Sequence, residues 1–366
     1  MSPDRLRRAA EQMRALDVDA LLIGPGADLR YLSGYAALPL ERMTLLVARA
    51  DDIHTLIVPE LERPRAEAMD LPDDLEVRDF AETQDPVDLV ASACAPLGPS
   101  PRLGVGDRLW ATFLLAIQHA LPTRASYLPA STVTRELRMR KGPEEIDALR
   151  RAGQAIDRVH ARVPGLLRPG RTEAAVGADI ADLILAEGHE QVSFVIVGSG
   201  PNGASPHHEL SDRALEPGDA VVVDIGGTLD GYGSDCTRDY LVGHAPLGYM
   251  DIHATLEAAQ QAACDIAAPG VTAEAVDAAA RDVLNEAGLG GYFIHRTGHG
   301  IGLEEHEEPY IVAGNELPLE PTMTFSIEPG VYLPDRFGMR IEDIVVVTHD
   351  GIERLNTGER RPVPAG

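Results

Sequence analysis

Two aspartates stand in apolar stretches of the chain where a charged residue is unexpected. Asp224 interrupts Val221–Ile225, and Asp235 lies in Tyr232–Val242, which returns after a turn rich in glycine and aspartate. If these segments form a hairpin with residue 224 opposite residue 235, the two carboxylates share one face, with Cβ atoms ~5 Å apart. Buried carboxylates at that distance repel each other, and a divalent cation removes this cost. The pattern therefore predicts a metal-binding pair.

The same arrangement recurs nearer the C terminus. Glu328 lies in Thr324–Gly330 and Glu342 in Gly338–Val347, with a turn between the two arms. Pairing residue 328 opposite residue 342 again puts two carboxylates on one face. A single acidic residue in a strand is more often a turn or salt-bridge residue. Two hairpins with the same feature favour a metal site instead.

Three histidines complete the set of candidate residues. His299 lies among three glycines, which permit close backbone approach, and its neutral nitrogen would be a fifth metal ligand. His306 follows seven residues later, and His207 comes after a glycine-rich loop. An isolated histidine is usually a surface or capped residue, so only the combination is informative.

This donor set predicts both a metal type and a reaction. Mostly oxygen ligands, one imidazole and no thiol suit Mn²⁺ or Co²⁺, with Zn²⁺ and Fe²⁺ left open, and manganese is our first choice. Two such ions would acidify a water between them and polarise a scissile carbonyl. The reaction predicted from these residues is therefore hydrolysis. Uncharged histidine donors would stabilise the tetrahedral oxyanion.

The elements that must position these residues fall into two domains. Alternating helical and strand patterns predict an α/β domain over residues 1–132, followed by a second domain over 133–366. The second domain contains a repeat at an offset of 100 residues, in which Thr172 and Thr272 are predicted helix N-caps and Gly188 and Gly288 C-caps. The alternative is two ordinary alanine-rich helices that match by chance.

Composition excludes several classes of partner. The net charge of −26 argues against binding nucleic acid or an anionic membrane surface. No apolar run approaches the ~18 residues of a membrane span. The three widely spaced cysteines do not form a disulfide framework, so the sequence predicts a protein of the reducing cytoplasm.

Together, these motifs resemble the pita-bread metallopeptidases (family M24), in the branch of Xaa-Pro dipeptidases (prolidases) and Xaa-Pro aminopeptidases (aminopeptidase P). The matching strings are Val223-Asp224-Ile225-Gly226-Gly227, Ser234-Asp235-Cys236-Thr237-Arg238, Gly298-His299-Gly300-Ile301-Gly302, His306-Glu307-Glu308-Pro309, Ile327-Glu328-Pro329-Gly330 and Gly338-Met339-Arg340-Ile341-Glu342-Asp343. Pro201–His207, Arg138–Ile146 and Tyr31–Tyr35 look similar too. The resemblance implies an α/β N-terminal domain like that of creatinase and prolidase. It also implies an α+β pita-bread C-terminal domain with an internal pseudo-twofold repeat.

The resemblance also implies a role for each site residue. Asp224 and Asp235 would hold one of two divalent ions, Asp235 and Glu342 would bridge the ions, and His299 and Glu328 would complete the second site. Glu328 would also shuttle a proton, while His207 and His306 would orient the substrate carbonyl. Arg340 and Tyr232 would fix the orientation of the carboxylates.

One position departs from the family pattern. Some prolidases carry an arginine, just after the proline, that binds the free carboxylate of a dipeptide, and Tyr310 stands there in this chain. We hypothesise that Arg42 supplies that charge from the N-terminal domain. The alternative is a solvated loop arginine.

The predicted function is hydrolysis of the peptide bond before proline in dipeptides or short peptides, and a homodimer is expected. An Xaa-Pro dipeptidase is the first hypothesis, and an Xaa-Pro aminopeptidase acting on longer peptides is the alternative. A metal-free creatinase-like hydrolase and a non-catalytic pita-bread binding module are further alternatives. Neither of these last two needs to keep five ligands.

Overall fold

The computed structural model describes residues 4–69 and 71–366 of the chain, which divides into two units, Met1–Arg138 and Met139–Gly366. Within the described residues, no helix combines the length and the apolar character needed to cross a bilayer.

The N-terminal unit is built on a mixed sheet of six strands. Its strands are β1 (Ala20–Ile23), β2 (Leu45–Arg49), β3 (His54–Pro59), β4 (Leu75–Phe80), β5 (Arg102–Val105) and β6 (Ser126–Pro129), in the spatial order β4-β3-β2-β1-β5-β6. Its helices are α1 (Arg5–Ala15), α2 (Ala27–Ser33), α3 (Arg63–Glu67), α4 (Pro86–Cys94), α5 (Ala111–Ala120) and α6 (Ser131–Met139). Apolar residues such as Leu45, Ile57 and Ile117 are fully buried between sheet and helices. The α/β prediction for this part of the chain is confirmed.

The C-terminal unit combines four longer helices with three sheets. The helices are α7 (Pro143–His160), α8 (Glu173–Ala186), α9 (Tyr249–Ile266) and α10 (Ala273–Glu286). A four-stranded sheet, in the order β17-β9-β8-β7, contains β7 (Gln191–Ser199), β8 (Ala220–Leu229), β9 (Tyr232–Val242) and β17 (Val363–Ala365). A five-stranded sheet, in the order β11-β10-β12-β15-β16, contains β10 (Gly298–Gly300), β11 (Glu307–Ile311), β12 (Thr324–Ile327), β15 (Asp343–Val347) and β16 (Ile352–Arg354). The strands β13 (Gly330–Leu333) and β14 (Phe337–Arg340) form a separate pair.

The sequence repeat is also a structural repeat. The hydroxyls of Thr172 and Thr272 cap α8 and α10, accepting hydrogen bonds from the third amide of each helix. Gly170 and Gly270 both have φ of +86° and donate to Leu215 and Leu319 at 2.8 Å. Each half therefore repeats one unit in which helices pack on a sheet, with its own apolar core. A chance match of two helices would not reproduce these backbone contacts.

The register of the first hairpin differs from the predicted one. Asp224 lies opposite Thr237, and Asp235 lies opposite Gly226, so the prediction of residue 224 opposite residue 235 was wrong by two residues. The cause is a tight turn at Asp230 and Gly231, both with positive φ, which sets the register of a two-residue hairpin. A shift of two residues keeps each side chain on its face, so both carboxylates still share one side of the sheet.

In the second hairpin, the expected pairing holds, but the ladder is interrupted. β12 pairs with β15 up to Ile327 and Asp343, and β13 pairs with β14 from Gly330 and Arg340 in the same register. Glu328 and Glu342 lie opposite each other at the break. Their amides donate instead to the carbonyls of Thr297 and Thr237, at 2.8 and 3.3 Å. The interruption thus ties Glu342 to β9 and Glu328 to the residue just before β10.

Candidate metal centre

Five predicted ligands, carried by separate strands and strand ends, converge in the C-terminal unit. Their ligand atoms form overlapping groups in which all atoms lie within 4.8 Å of one another. The groups are Asp224, Asp235 and Glu342; His299, Glu328 and Glu342; and Asp235, His299 and His306. The structure therefore brings all five together and adds His306 beside them.

The orientation of the His299 ring is set by its neighbouring backbone. Nδ1 lies 3.1 Å from the carbonyl of Gly300, and a carbonyl only accepts, so Nδ1 carries the proton. The lone pair of Nε2 then faces carboxylate oxygens of Glu328 at 3.2 Å and Asp235 at 3.7 Å. Burial lowers the pKa of His299 to about 4, so this ring is neutral at pH 7. Acceptors that face each other in this way fit a shared cation.

The flanking glycines make this position possible. A Cβ at Gly298 would overlap the carbonyl oxygen of Ser326, and a Cβ at Gly300 would overlap the carbonyl of Glu308. The sequence-based argument that glycines permit close backbone approach here is confirmed.

The carboxylates are buried without enough partners. Asp224 Oδ1 and Glu342 Oε1 have no hydrogen-bond partner within the described part of the chain. Burial and the neighbouring carboxylates raise the pKa of Asp235 and Glu342 well above the usual range, and burial raises that of Glu328. Orphaned buried oxygens and mutual repulsion are costly. The donor set, four carboxylates and one neutral imidazole, therefore fits divalent cations.

Arg340 connects the carboxylates to the rest of the core. Its guanidinium binds Asp224 and donates to Thr237 Oγ1 at 2.9 Å and to the hydroxyl of Tyr332 at 2.7 Å. Thr237 in turn donates to Glu342 Oε2 at 2.7 Å. The hydroxyl of Tyr232, the other predicted support, donates to Glu145 at 2.8 Å.

The two other histidines differ in how they are held. The ring centroid of His306 lies 3.9 Å from that of His299. The Nδ1 atom of His306 lies 3.4 Å from a guanidinium nitrogen of Arg296, which can only donate, so the ring proton is on Nε2. Burial, with smaller contributions from the neighbouring His299 and Arg296, lowers the pKa of His306 to about 4. His207 is exposed on the loop that follows β7.

That loop is anchored by Glu173, a fully buried carboxylate that sequence reasoning missed. It accepts hydrogen bonds from the amide and hydroxyl of Ser199 at 2.8 and 2.6 Å and from Ser211 at 2.6 Å. His208 Nε2 lies 2.7 Å from Oε2 of Glu173, the oxygen that Ser211 also binds. In the second half of the repeat, Asp277 accepts from the amide and hydroxyl of Thr297, two residues before His299.

Arg42 lies in the N-terminal unit and already has carboxylate partners. It binds both oxygens of Glu82, at 3.0 and 3.1 Å, and one oxygen of Glu41 at 2.6 Å.

Comparison with known proteins agrees with this geometry. The family model for the Creatinase/Prolidase N-terminal domain matches residues 5–140, and the model for Metallopeptidase family M24 matches residues 147–349. The chain therefore belongs to metallopeptidase family M24, as the sequence motifs predicted, and is a hydrolase that acts on peptides. Divalent metal ions are the cofactors that this family implies, and the buried donor set above fits them.

Among individual proteins, the chain is similar to a probable dipeptidase PepE of Mycobacterium tuberculosis, with 54% identity over 96% of this chain and 93% of that protein. It is also similar to an Xaa-Pro dipeptidase of Lactobacillus helveticus, with 35% identity over 92% of each chain. The crystal structure of a prolidase from Thermococcus sibiricus superposes with a TM-score of 0.93, at 34% identity over 100% of this chain and 99% of that one.

Proposed function

We propose that this protein is a metal-dependent Xaa-Pro dipeptidase, which hydrolyses the peptide bond before a C-terminal proline. The observation that carries the proposal is the lone pair of His299 facing carboxylates among buried, unpartnered acidic oxygens. The names of the relatives support the substrate class, because dipeptidases and prolidases are prominent among them. The complete set of donors opposes both a metal-free hydrolase and a non-catalytic module.

Five residues would hold two divalent ions, for which we propose Mn²⁺, with Co²⁺, Zn²⁺ and Fe²⁺ as alternatives. Asp224 and Asp235 would bind one ion, Asp235 and Glu342 would bridge, and His299 and Glu328 would bind the other. When bound, the ions supply a nucleophilic hydroxide at neutral pH and polarise the scissile carbonyl. Arg340 would orient Asp224 directly and Glu342 through Thr237.

The remaining steps concern proton transfer and charge on the carbonyl oxygen. Glu328 would take a proton from the attacking water and pass it to the proline nitrogen, which must be protonated to leave. His306, neutral with its proton on Nε2, and His207 would donate to the carbonyl oxygen as negative charge develops there.

Metal analysis combined with Ala-Pro hydrolysis tests this proposal. We expect the purified protein to bind divalent transition metal, to lose hydrolysis in chelator and to regain it with Mn²⁺. Asp235→Asn should lose both metal and activity, while Asp182→Asn, an exposed aspartate of α8, should keep both. Full activity in chelator, or no bound metal after loading, would overturn the proposal.

A homodimer in the cytoplasm completes the proposal. The cytoplasmic location is supported by the three cysteines, each free and buried. Light scattering on the purified protein and fractionation of the source cells test the two statements separately.

A further inference from the structure

Arg296 stands beside the candidate metal centre in a geometry that the metal ligands do not explain. It lies three residues before His299, just ahead of β10, and is half-buried. Its guanidinium carbon lies 4.4 Å above the centre of the Tyr310 ring, and one of its nitrogens lies 3.4 Å from His306 Nδ1. A guanidinium stacked on an aromatic ring is held in place while its edge nitrogens stay available to an anion.

The charge of Arg296 is not neutralised by the protein. Among residues 4–69 and 71–366, no carboxylate lies within the 4.0 Å ion-pair distance of its guanidinium. Arg340 and Arg42, by contrast, are bound to Asp224 and Glu82. In a chain with a net charge of −26, an unpaired arginine next to a buried carboxylate cluster is a site for an external anion.

The distances fit the reach of a dipeptide. One residue spans at most ~3.3–3.6 Å, so the terminal carboxylate of an Xaa-Pro dipeptide lies within one residue length of its scissile carbonyl. The receptor for that carboxylate must therefore lie close to the group that binds the carbonyl. Arg296 contacts His306 directly, and the ring of His306 lies 3.9 Å from that of His299.

We infer that Arg296, held on the face of Tyr310, binds the α-carboxylate of the dipeptide and selects dipeptides over longer or C-terminally blocked peptides. The inference rests on the proposed dipeptidase function. It gives Tyr310 a role at the position where some prolidases carry an arginine. The Tyr310 ring supports Arg296, which comes from the segment just before β10. It also makes Arg42 unnecessary for carboxylate binding.

The test compares Ala-Pro with its C-terminal amide, which lacks only the negative charge. For the wild-type protein, we expect kcat/KM to favour the acid, and in Arg296→Gln this preference should fall by ~10–100-fold, the range for a hydrogen bond to a charged group. Arg296→Lys should keep part of the preference, because lysine keeps the positive charge but cannot donate two parallel hydrogen bonds to a carboxylate. Arg336→Gln is the matched control, since Arg336 is an exposed arginine that also lies over a ring, that of Phe337. Arg42→Gln tests the competing residue.

Binding provides a second readout that does not depend on turnover. Calorimetry on the chelator-treated protein should show tighter binding of Ala-Pro than of its amide, and Arg296→Gln should remove the difference. If the wild type cleaves Ala-Pro rapidly but Arg296→Gln keeps the acid preference, the inference about Arg296 is wrong and the proposed function stands. If Ala-Pro is not cleaved but its carboxylate is bound through Arg296, the proposed function is wrong and the inference stands. An equal loss on acid and amide would show that Arg296 acts only through His306 and would also overturn the inference.

Discussion

Burial determines the protonation of individual side chains throughout the C-terminal unit. His160, remote in sequence from the metal ligands, shows the effect most simply. Its Nε2 donates to the carbonyl of Cys236 at 3.0 Å, and its Nδ1 lies 2.9 Å from the hydroxyl of Tyr240. Burial, with a smaller contribution from Arg238, lowers its pKa to about 3. The folded protein thus holds this ring neutral over the physiological range.

The first prediction concerns stability below neutral pH. The pKa of His160 is lower in the folded state than the usual ~6.5 of an unfolded chain. The stability that the neutral ring contributes is therefore fully present above pH 6.5 and is lost progressively as the pH falls toward 3. Between pH 7 and pH 5, this amounts to about 2 kcal/mol of unfolding free energy. Urea unfolding of the chelator-treated protein at both values should show a smaller loss for His160→Gln than for the wild type. His349→Gln, an exposed histidine of the same unit, should match the wild type. Equal losses in all three proteins would contradict the assignment.

The second prediction concerns the hydroxyl that links Arg340 to Glu342. Thr237→Val keeps the shape of the side chain but removes both hydrogen bonds. We expect kcat/KM on Ala-Pro, or the affinity for Mn²⁺, to fall by ~10–100-fold, the usual cost of losing support behind a metal ligand. Thr228→Val, in the half-buried end of β8, is the control. Unchanged activity and affinity in Thr237→Val would mean that Arg340 and Glu342 are held by other contacts.

At the scale of elements, each half of the repeat uses a buried helix carboxylate to anchor a segment that carries a site histidine. Glu173, the first residue of α8, holds the start of the loop that contains His207. Asp277, in α10, holds Thr297 just before β10 and His299. Different residues donate to Glu173 and to Asp277, but both carboxylates fix a segment that carries a site histidine. The duplication has therefore preserved a way of tying helix to site rather than a set of identical residues.

The third prediction tests this anchoring in the first half. Glu173→Gln replaces one acceptor oxygen by a donor facing other donors, which should cost about 2 kcal/mol of stability. Because the loop loosens, kcat on Ala-Pro should fall more than stability alone explains, while the content of bound metal stays at the wild-type level. Asp182→Asn, on the exposed face of the same helix, serves as the control in denaturant and kinetic measurements. A Glu173→Gln protein with wild-type kcat would show that His207 does not depend on this anchor.

Some features of these elements could be predicted from the sequence and others could not. Each acidic ligand position was recognisable because it interrupts an apolar strand, and His299 because glycines surround it. The register of β8 and β9 could not be predicted, because it depends on the turn at Asp230 and Gly231, which the sequence-based prediction did not locate. Glu173 was missed because its partners lie far away in sequence. Tyr332 lies only eight residues from Arg340 and was missed because a tyrosine in an apolar strand is ordinarily a core residue. Thr237 was detectable, because it stands two residues after Asp235 on the same face. The stacking of Arg296 on Tyr310 joins two segments that no spacing rule connects.

For the whole molecule, the acidic composition says little about the site. The chain carries 58 acidic and 32 basic residues, and only four of the acidic ones belong to the proposed ligand set. Most of the negative charge therefore lies elsewhere and serves solubility rather than substrate choice. The site instead holds the C-terminal unit together, because its ligands come from the four-stranded sheet and from strands or strand ends of the five-stranded sheet.

The fourth prediction follows from that cohesion. Metal that binds the folded chain but not the unfolded one should stabilise it, by about 2.7 kcal/mol at a concentration 100 times Kd. Thermal unfolding should therefore shift to higher temperature with Mn²⁺ in the wild type, but not in Asp235→Asn. An equal shift in both proteins would place the stabilising metal outside the proposed site.

The most direct test of the central claim is the ratio of kcat/KM for Ala-Pro to that for Ala-Pro-Ala, measured on the Mn²⁺-loaded protein with a chelator control. An Xaa-Pro dipeptidase predicts a strong preference for Ala-Pro, abolished by chelator. A preference for Ala-Pro-Ala would instead identify an aminopeptidase, and hydrolysis of either substrate that persists in chelator would contradict the metal centre itself.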